Sequence, residues 1–198
     1  MVTDAGLPDW RKLAQALHAR FLIDSYAAGA RFVAAVGAAF ATSAVVPELR
    51  LGPTYVDARS TDEAVARQVS DVAVEHGLIA QPGAVAQVEI ALDTPDRAAI
   101  GPFWAAVLTG STDAFQGNDV CDPTGRVANL WFQGTDPHEP PRQRFHLDLW
   151  LPPEIVPSRI KAAIAAGGTV VYDDEAPAFI VLADPQGNKV CLCTSEGR

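Results

Sequence analysis

The chain has 198 residues, 48% of them hydrophobic and 20% charged, which places it among globular proteins rather than disordered or fibrous ones. A formal net charge of -9, a pI near 4.8 and the lack of any Lys/Arg cluster exclude the electrostatic footprint of a nucleic-acid binder. No run approaches the roughly 18 consecutive apolar residues of a membrane span, and the Met1 end has no basic stretch followed by an apolar one, so a cytoplasmic protein without membrane contact is expected.

In chain order, the pattern predicts a leading helix near Pro8–Leu17 and a short strand at Arg20–Ile23. Within Asp24–Thr42, the residues Tyr26, Ala30, Val33, Gly37 and Phe40 recur at spacings of four and three, the stripe of a core-facing helix. Pro47–Arg59 reads as extended chain. Ser60 and Glu63 have capping-box spacing and open a second helix that turns Val65, Val69 and Val72 inward and stops at Gly77. Gln81-Pro82-Gly83 interrupts the periodicity and marks a boundary, giving domains of 1–82 and 83–198. Most of the acidity lies beyond it: residues 1–84 hold seven basic and nine acidic residues, residues 85–198 eight and fifteen.

The second half contains a duplication. Two alternating strands, Ala86–Asp93 and Arg144–Leu151, are each followed by a helix, Pro95–Leu108 and Glu154–Ala166. An offset of 57 maps Glu89 onto His146, Phe103 onto Ile160 and Gly110 onto Gly167. Each repeat then reaches the same turn chemistry, Asp122-Pro123-Thr124-Gly125 and Asp184-Pro185-Gln186-Gly187, before a closing strand. The fold class is therefore α+β, a small α+β unit followed by a paired βαβββ unit. Three cysteines, Cys121, Cys191 and Cys193, are an odd number, and the last two share one strand face, so thiols are expected rather than a disulfide.

Strand alternation sends Phe145, Leu147, Leu149 and Leu151 to one face and Arg144, His146, Asp148 and Trp150 to the other. Val88, Ile90 and Leu92 likewise oppose Gln87, Glu89, Ala91 and Asp93. The apolar faces are expected to pack on helices and the polar faces to border solvent or a cleft. Glu89 and His146, equivalent in the repeat, form a candidate acid–base pair: an imidazole exchanges protons near neutral pH, and a desolvated carboxylate can be tuned towards it. A structural His–carboxylate hydrogen bond is the competing reading. Trp131, Trp150 and Phe179 are candidates to line an apolar pocket, with Arg144 to meet a carboxylate. Trp104 is expected in the packing of its helix. His18 and His76, at helix ends, and His138, in the proline-rich connector Gly134–Arg142, are expected at the surface.

Phe103-Trp104-Ala105-Ala106-Val107-Leu108, Trp131-Phe132-Gln133, His146-Leu147-Asp148 and Asp184-Pro185-Gln186-Gly187-Asn188, within the repeated strand–helix–hairpin–turn–strand pattern, resemble the vicinal oxygen chelate superfamily and its actinobacterial glyoxalase-like branch. The likeness spans about Val85–Cys193. It implies a small-molecule cleft in which Glu89 and His146 are catalytic and Trp131, Gln133, Arg144, Asp148, Trp150 and Cys191 bind substrate. Metal-dependent members draw ligands from these strands. Here Cys191 and Trp131 stand where further carboxylates are found, so a metal-free pocket is expected, with a divalent ion at Glu89, His146 and Cys191 as the alternative.

The first half, through Trp10, the alanine-rich helix, Pro47-Glu48 and a closing helix, is similar to pterin-4a-carbinolamine dehydratases over residues 7–78. The two histidines of that family's His-His-Pro motif are replaced by Val45 and Val46 before Pro47, leaving no proton-transfer group there. A degenerate scaffold or dimerising domain is expected, within a homodimer. The functions implied are a metal-independent lyase or isomerase, a ligand-sequestering protein such as drug-resistance members, or pterin dehydration by the first half.

Overall fold

A computed structural model describes residues 6–109, 111–122, 124–125, 127–137, 145–165, 168–183 and 189–197. The chain divides into two compact units, Met1–Ala86 with Leu151–Ile155, and Gln87–Trp150 with Val156–Arg198. Among the described residues no helix is long and apolar enough to cross a membrane.

The first unit runs β1 (Trp10–Leu13), β2 (Ala16–Leu22), α1 (Tyr26–Ala39), β3 (Glu48–Leu51), β4 (Tyr55–Ser60), α2 (Glu63–Glu75) and β5 (Ile79–Ala80). Its antiparallel sheet has the order β1-β2-β4-β3, with β5 also pairing β2. Alternation turns Leu17, Ala19, Phe21, Val56 and Ala58 into a core with Phe32, Val36, Val65 and Val69 of the helices. Trp10 is completely buried and its indole N–H donates to Ser70 Oγ at 3.0 Å. The opposite sheet face is charged: Arg20 makes a bidentate pair with Asp57 (2.6 and 2.7 Å) and lies 3.9 Å over the Tyr55 ring.

Three local expectations are corrected here. Pro8–Leu17 is a hairpin, not a helix, because Trp10, Leu13 and Leu17 have helical spacing yet reach one core from two paired strands, with Trp10 opposite Ala19 and Leu13 opposite Ala16. His18 consequently lies on β2, not on a helix end, where burial, and secondarily Arg59, holds its pKa at about 4.

The buried stripe of α1 is Gly29, Phe32, Val36 and Phe40, roughly one residue or 100° around from the predicted one, and Tyr26, Ala30 and Gly37 face solvent. In an alanine-rich helix both stripes are apolar, and close packing decides. A Cβ at Gly29 would stand 2.5 Å from Leu51 Cδ1 and 2.6 Å from Ile23 Cδ1. Finally, α2 is capped by Asp62, whose carboxylate accepts from the Ala64 and Val65 amides; Ser60 instead bonds the backbone of Asp62. The helix ends as expected, with Gly77 at a positive φ of 66°.

The second unit contains β6 (Gln87–Thr94), α3 (Arg97–Thr109), β7 (Phe115–Gln116), β8 (Asp119–Val120), β9 (Asn129–Gly134), β10 (Phe145–Trp150), α4 (Val156–Ala165), β11 (Thr169–Tyr172), β12 (Phe179–Ala183) and β13 (Lys189–Cys193). Its mixed eight-stranded sheet has the order β11-β12-β13-β10-β6-β9-β8-β7. Both leading strands pair in parallel with their own closing strands, β6 with β9 and β10 with β13, and join each other antiparallel at the centre. This is the predicted duplication in spatial form. Ile90 lies opposite Leu147, two residues related by the sequence offset itself, so the local two-fold passes through that pair. The proline and the second DPxG segment of the two turns, at 123 and 184–188, fall outside the described residues.

Candidate functional site

On the face of the second sheet that α3 covers, Leu92, Leu130, Phe132 and Val120 form a small core with Ala105, and Ile90 and Trp104 pack against it. Trp104 packs as expected, its ring 5.8 Å from that of Phe145 in an edge contact. The other face, termed inner, presents Glu89, Ala91 and Asp93 from β6, His146, Asp148 and Trp150 from β10, Trp131 and Gln133 from β9, and Cys191 and Cys193 from β13.

Over the first repeat the apolar face packs on a helix as expected, with Leu92 buried against α3, but burial does not follow polarity everywhere. Glu89, Asp93, Asp148 and Trp150 are buried, whereas Val88, Phe145 and Leu147 are 43%, 45% and 50% exposed. The alternation was read correctly, but apolar character does not by itself say which face is enclosed. α3 covers the outer face over the first repeat, where Ala105 meets Leu92 of β6 and Trp104 meets the edge of Phe145 on β10. On the inner face the large rings of Trp131 and Trp150 lie among the carboxylates.

Glu89 is 3% exposed, and the Trp150 indole N–H donates to its Oε2 at 3.2 Å. Trp150 thus stands on the inner face but is buried against Glu89. His146 sits opposite Ala91, with Glu89 diagonal to it, and cross-strand diagonals span roughly 7–8 Å. The imidazole lies between two carboxylates: Nδ1 is 3.8 Å from Asp93 Oδ1 and Nε2 is 3.3 Å from Asp148 Oδ1. Asp93 was not among the expected site residues. The 57-residue offset maps it onto Trp150, and its parity on β6 was the signal available for it.

The Trp131 ring meets His146 edge-on, with centroids 6.5 Å apart. Gln133 and Cys191 are partly buried on the same face, and Cys193 is buried. The three cysteines form no disulfide. Arg144 and His138 lie outside the described residues, and His76 caps the end of α2 at the surface, as expected.

A divalent ion is the alternative to the metal-free pocket expected here, and three residues fit one. His146, Asp148 and Cys191 each bring a donor atom to within 4.8 Å of the other two. Donors about 2.1 Å from a tetrahedral ion stand roughly 3.4 Å apart, close to the observed 3.3 Å between His146 Nε2 and Asp148 Oδ1. The set differs from the one expected at Glu89, His146 and Cys191: Asp148 joins it, and Glu89 is engaged with Trp150.

A family model described as Glyoxalase-like domain matches residues 89–193, which include both leading strands and both closing strands. No curated protein matched the chain. With more than half of its length inside that match, the chain belongs to the glyoxalase-like domain family.

Proposed function

We propose that the glyoxalase-like half binds a small organic molecule on its inner face and moves a proton on it without a metal, in an isomerisation or elimination, with Glu89 as base and His146 as acid partner. The observation that supports this best is an imidazole whose two nitrogens lie 3.8 and 3.3 Å from the oxygens of two buried carboxylates. Such contacts hold the ring in one place, as an acid–base group requires. The diagonal relation of Glu89 and His146 separates them by roughly 7–8 Å of backbone, a span that a molecule of a few heavy atoms covers, and the Trp150 indole holds the carboxylate.

The test is a panel of small ketones and hydroxy-carbonyl compounds incubated with the protein in D2O and followed by NMR. Deuterium should enter, or water should be lost, at the carbon next to the carbonyl, and both Glu89→Gln and His146→Ala should abolish this while remaining folded. Full turnover in either variant would remove the assignment. Binding with only unchanged compound recovered would favour a sequestering protein instead.

A metal-dependent form of the site is a second reading, supported by the donor geometry of His146, Asp148 and Cys191. Bound there, a zinc-like ion would polarise an oxygen of the ligand. Titration with Co2+ should then produce a thiolate-to-metal absorption band that Cys191→Ser removes. For the first unit we infer a scaffold without pterin dehydration, because Val45 and Val46 are exposed and offer no titratable group. A carbinolamine pterin should dehydrate at the buffer rate in the presence of the full chain.

A further inference from the structure

Sheet edges carry a row of unpaired backbone N–H and C=O groups, and proteins blunt them with charged side chains, very short strands or cover. In the first unit the edge strands β1 and β3 hold Arg11 and Lys12, and Glu48 and Arg50, and β5 is two residues long. In the second sheet β7 is also two residues long, and Phe115 packs so closely on α3 that a Cβ at Gly101 would stand 2.5 Å from its ring. The strand at the opposite end, β11, has neither protection. Its sequence, Thr169-Val170-Val171-Tyr172, is uncharged and strongly strand-forming, and it alone among the described strands has every side chain exposed. Val170, Val171 and Tyr172 are 38%, 47% and 39% exposed.

The apolar surface continues beyond the strand. The Gly168 amide donates to Ala163 O at 2.9 Å, which holds the start of β11 against the last turn of α4, and Ile164 on that turn is 51% exposed. Tyr172 stacks on Phe179 of β12 with ring centroids 5.9 Å apart, a fixed aromatic anchor at the other end. Charge divides in the same way. Lys161 lies one helical turn before Ile164, whereas Asp173, Asp174 and Glu175 follow Tyr172, and all four are exposed. A bulge leaves Val171 without a partner on β12, which keeps a ladder on the free side of β11 short.

An antiparallel strand pair has a two-fold axis of its own, so a single edge supplies both halves of the contact. About that axis the start of β11 in one copy meets its end in the other. The valines then lie together, and Lys161 of each copy comes towards the acidic end of the other. Parallel pairing would set acid against acid. We propose that this protein forms a two-fold homodimer by antiparallel pairing of β11 with β11 of a second copy, with Ile164 of α4 joining the apolar contact. The pairing uses up both β11 edges and leaves the short, packed β7 at each end of the joined sheet, so assembly closes at the dimer. It rests on no chemistry at the inner face.

The experiment is analytical ultracentrifugation of the full chain over a concentration series, with circular dichroism of each variant to confirm folding. The wild type should dimerise. Val170→Lys with Val171→Lys, and separately Val170→Asp with Val171→Asp, should each weaken the dimer at least tenfold, because like charges then face each other across the axis. Mixing the two double variants should restore a dimer containing one of each. Lys161→Glu should weaken association severalfold, and the outer-face change Leu147→Ser should leave it unchanged. A wild type that is monomeric at every concentration would overturn the proposal, as would a dimer that survives both double substitutions, variants that fail to associate on mixing, or a dimer that Leu147→Ser dissociates.

Discussion

The sheet of the first unit turns Leu17, Ala19, Phe21, Val56 and Ala58 against two helices and leaves its charged residues on the other side, whereas the sheet of the second unit encloses Glu89, Asp93 and Asp148 and leaves Val88, Phe145 and Leu147 partly exposed. One face is organised by removing apolar area from water. The other keeps charge where water is scarce, an arrangement that opposes stability and is characteristic of binding and catalytic sites. The first unit's sheet is thus organised by apolar burial and the second's inner face by buried charge.

The contrast breaks most readily in the first core. Trp10→Ala removes a fully buried ring and strands Ser70 Oγ without its donor, so a loss of about 3–5 kcal/mol is expected in urea unfolding followed by circular dichroism. A loss below about 1 kcal/mol would mean that this core does not dominate. Acid tests the same unit. The folded-state pKa of His18 is about 4 and the ordinary imidazole value is 6.5, so the unfolded chain takes up the proton first. The stability this neutral histidine contributes is present above pH 6.5 and fades as the pH falls through 6.5 towards 4. The loss should reach about 2–3 kcal/mol near pH 4. His18→Gln should flatten that part of the profile, and an identical profile would sink the assignment.

In the second unit, Trp150→Phe keeps a ring but removes the indole donor to Glu89 Oε2. Leaving a buried carboxylate short of one hydrogen bond costs about 1–3 kcal/mol. The loss should appear as a lower midpoint in urea unfolding of Trp150→Phe, and adding Glu89→Gln to that variant should cost little more. Fully additive losses in the double variant would mean that the two side chains act independently.

The sequence made the repeat legible because turn chemistry and the 57-residue offset are local signals, and the pairing of Ile90 with Leu147 is the same symmetry in three dimensions. Parity along β6 and β10 was legible for the same reason. Enclosure was not, since whether a face is covered depends on elements distant in the chain. The first hairpin was misread because Trp10, Leu13 and Leu17 satisfy helical and hairpin geometry alike. At the site, the contacts of His146 with Asp93 and Asp148 depend on side-chain directions across two strands, which no spacing rule encodes.

The smallest expected effect is also the most direct test of which face is enclosed. If the apolar side of β10 were the core, Leu147 would be a central core residue and Leu147→Ser would cost about 2–5 kcal/mol, by analogy with large-to-small core changes. At 50% exposure, opposite Ile90 on the local two-fold, it has much less area to lose, and Ser sacrifices mainly the packing and strand preference of one half-exposed side chain. The expected loss is below about 1 kcal/mol, with ligand binding on the inner face unchanged. A loss of core magnitude in urea unfolding would mean that this part of the outer surface is covered in solution, and the contrast between the two units would then rest on the buried inner carboxylates alone.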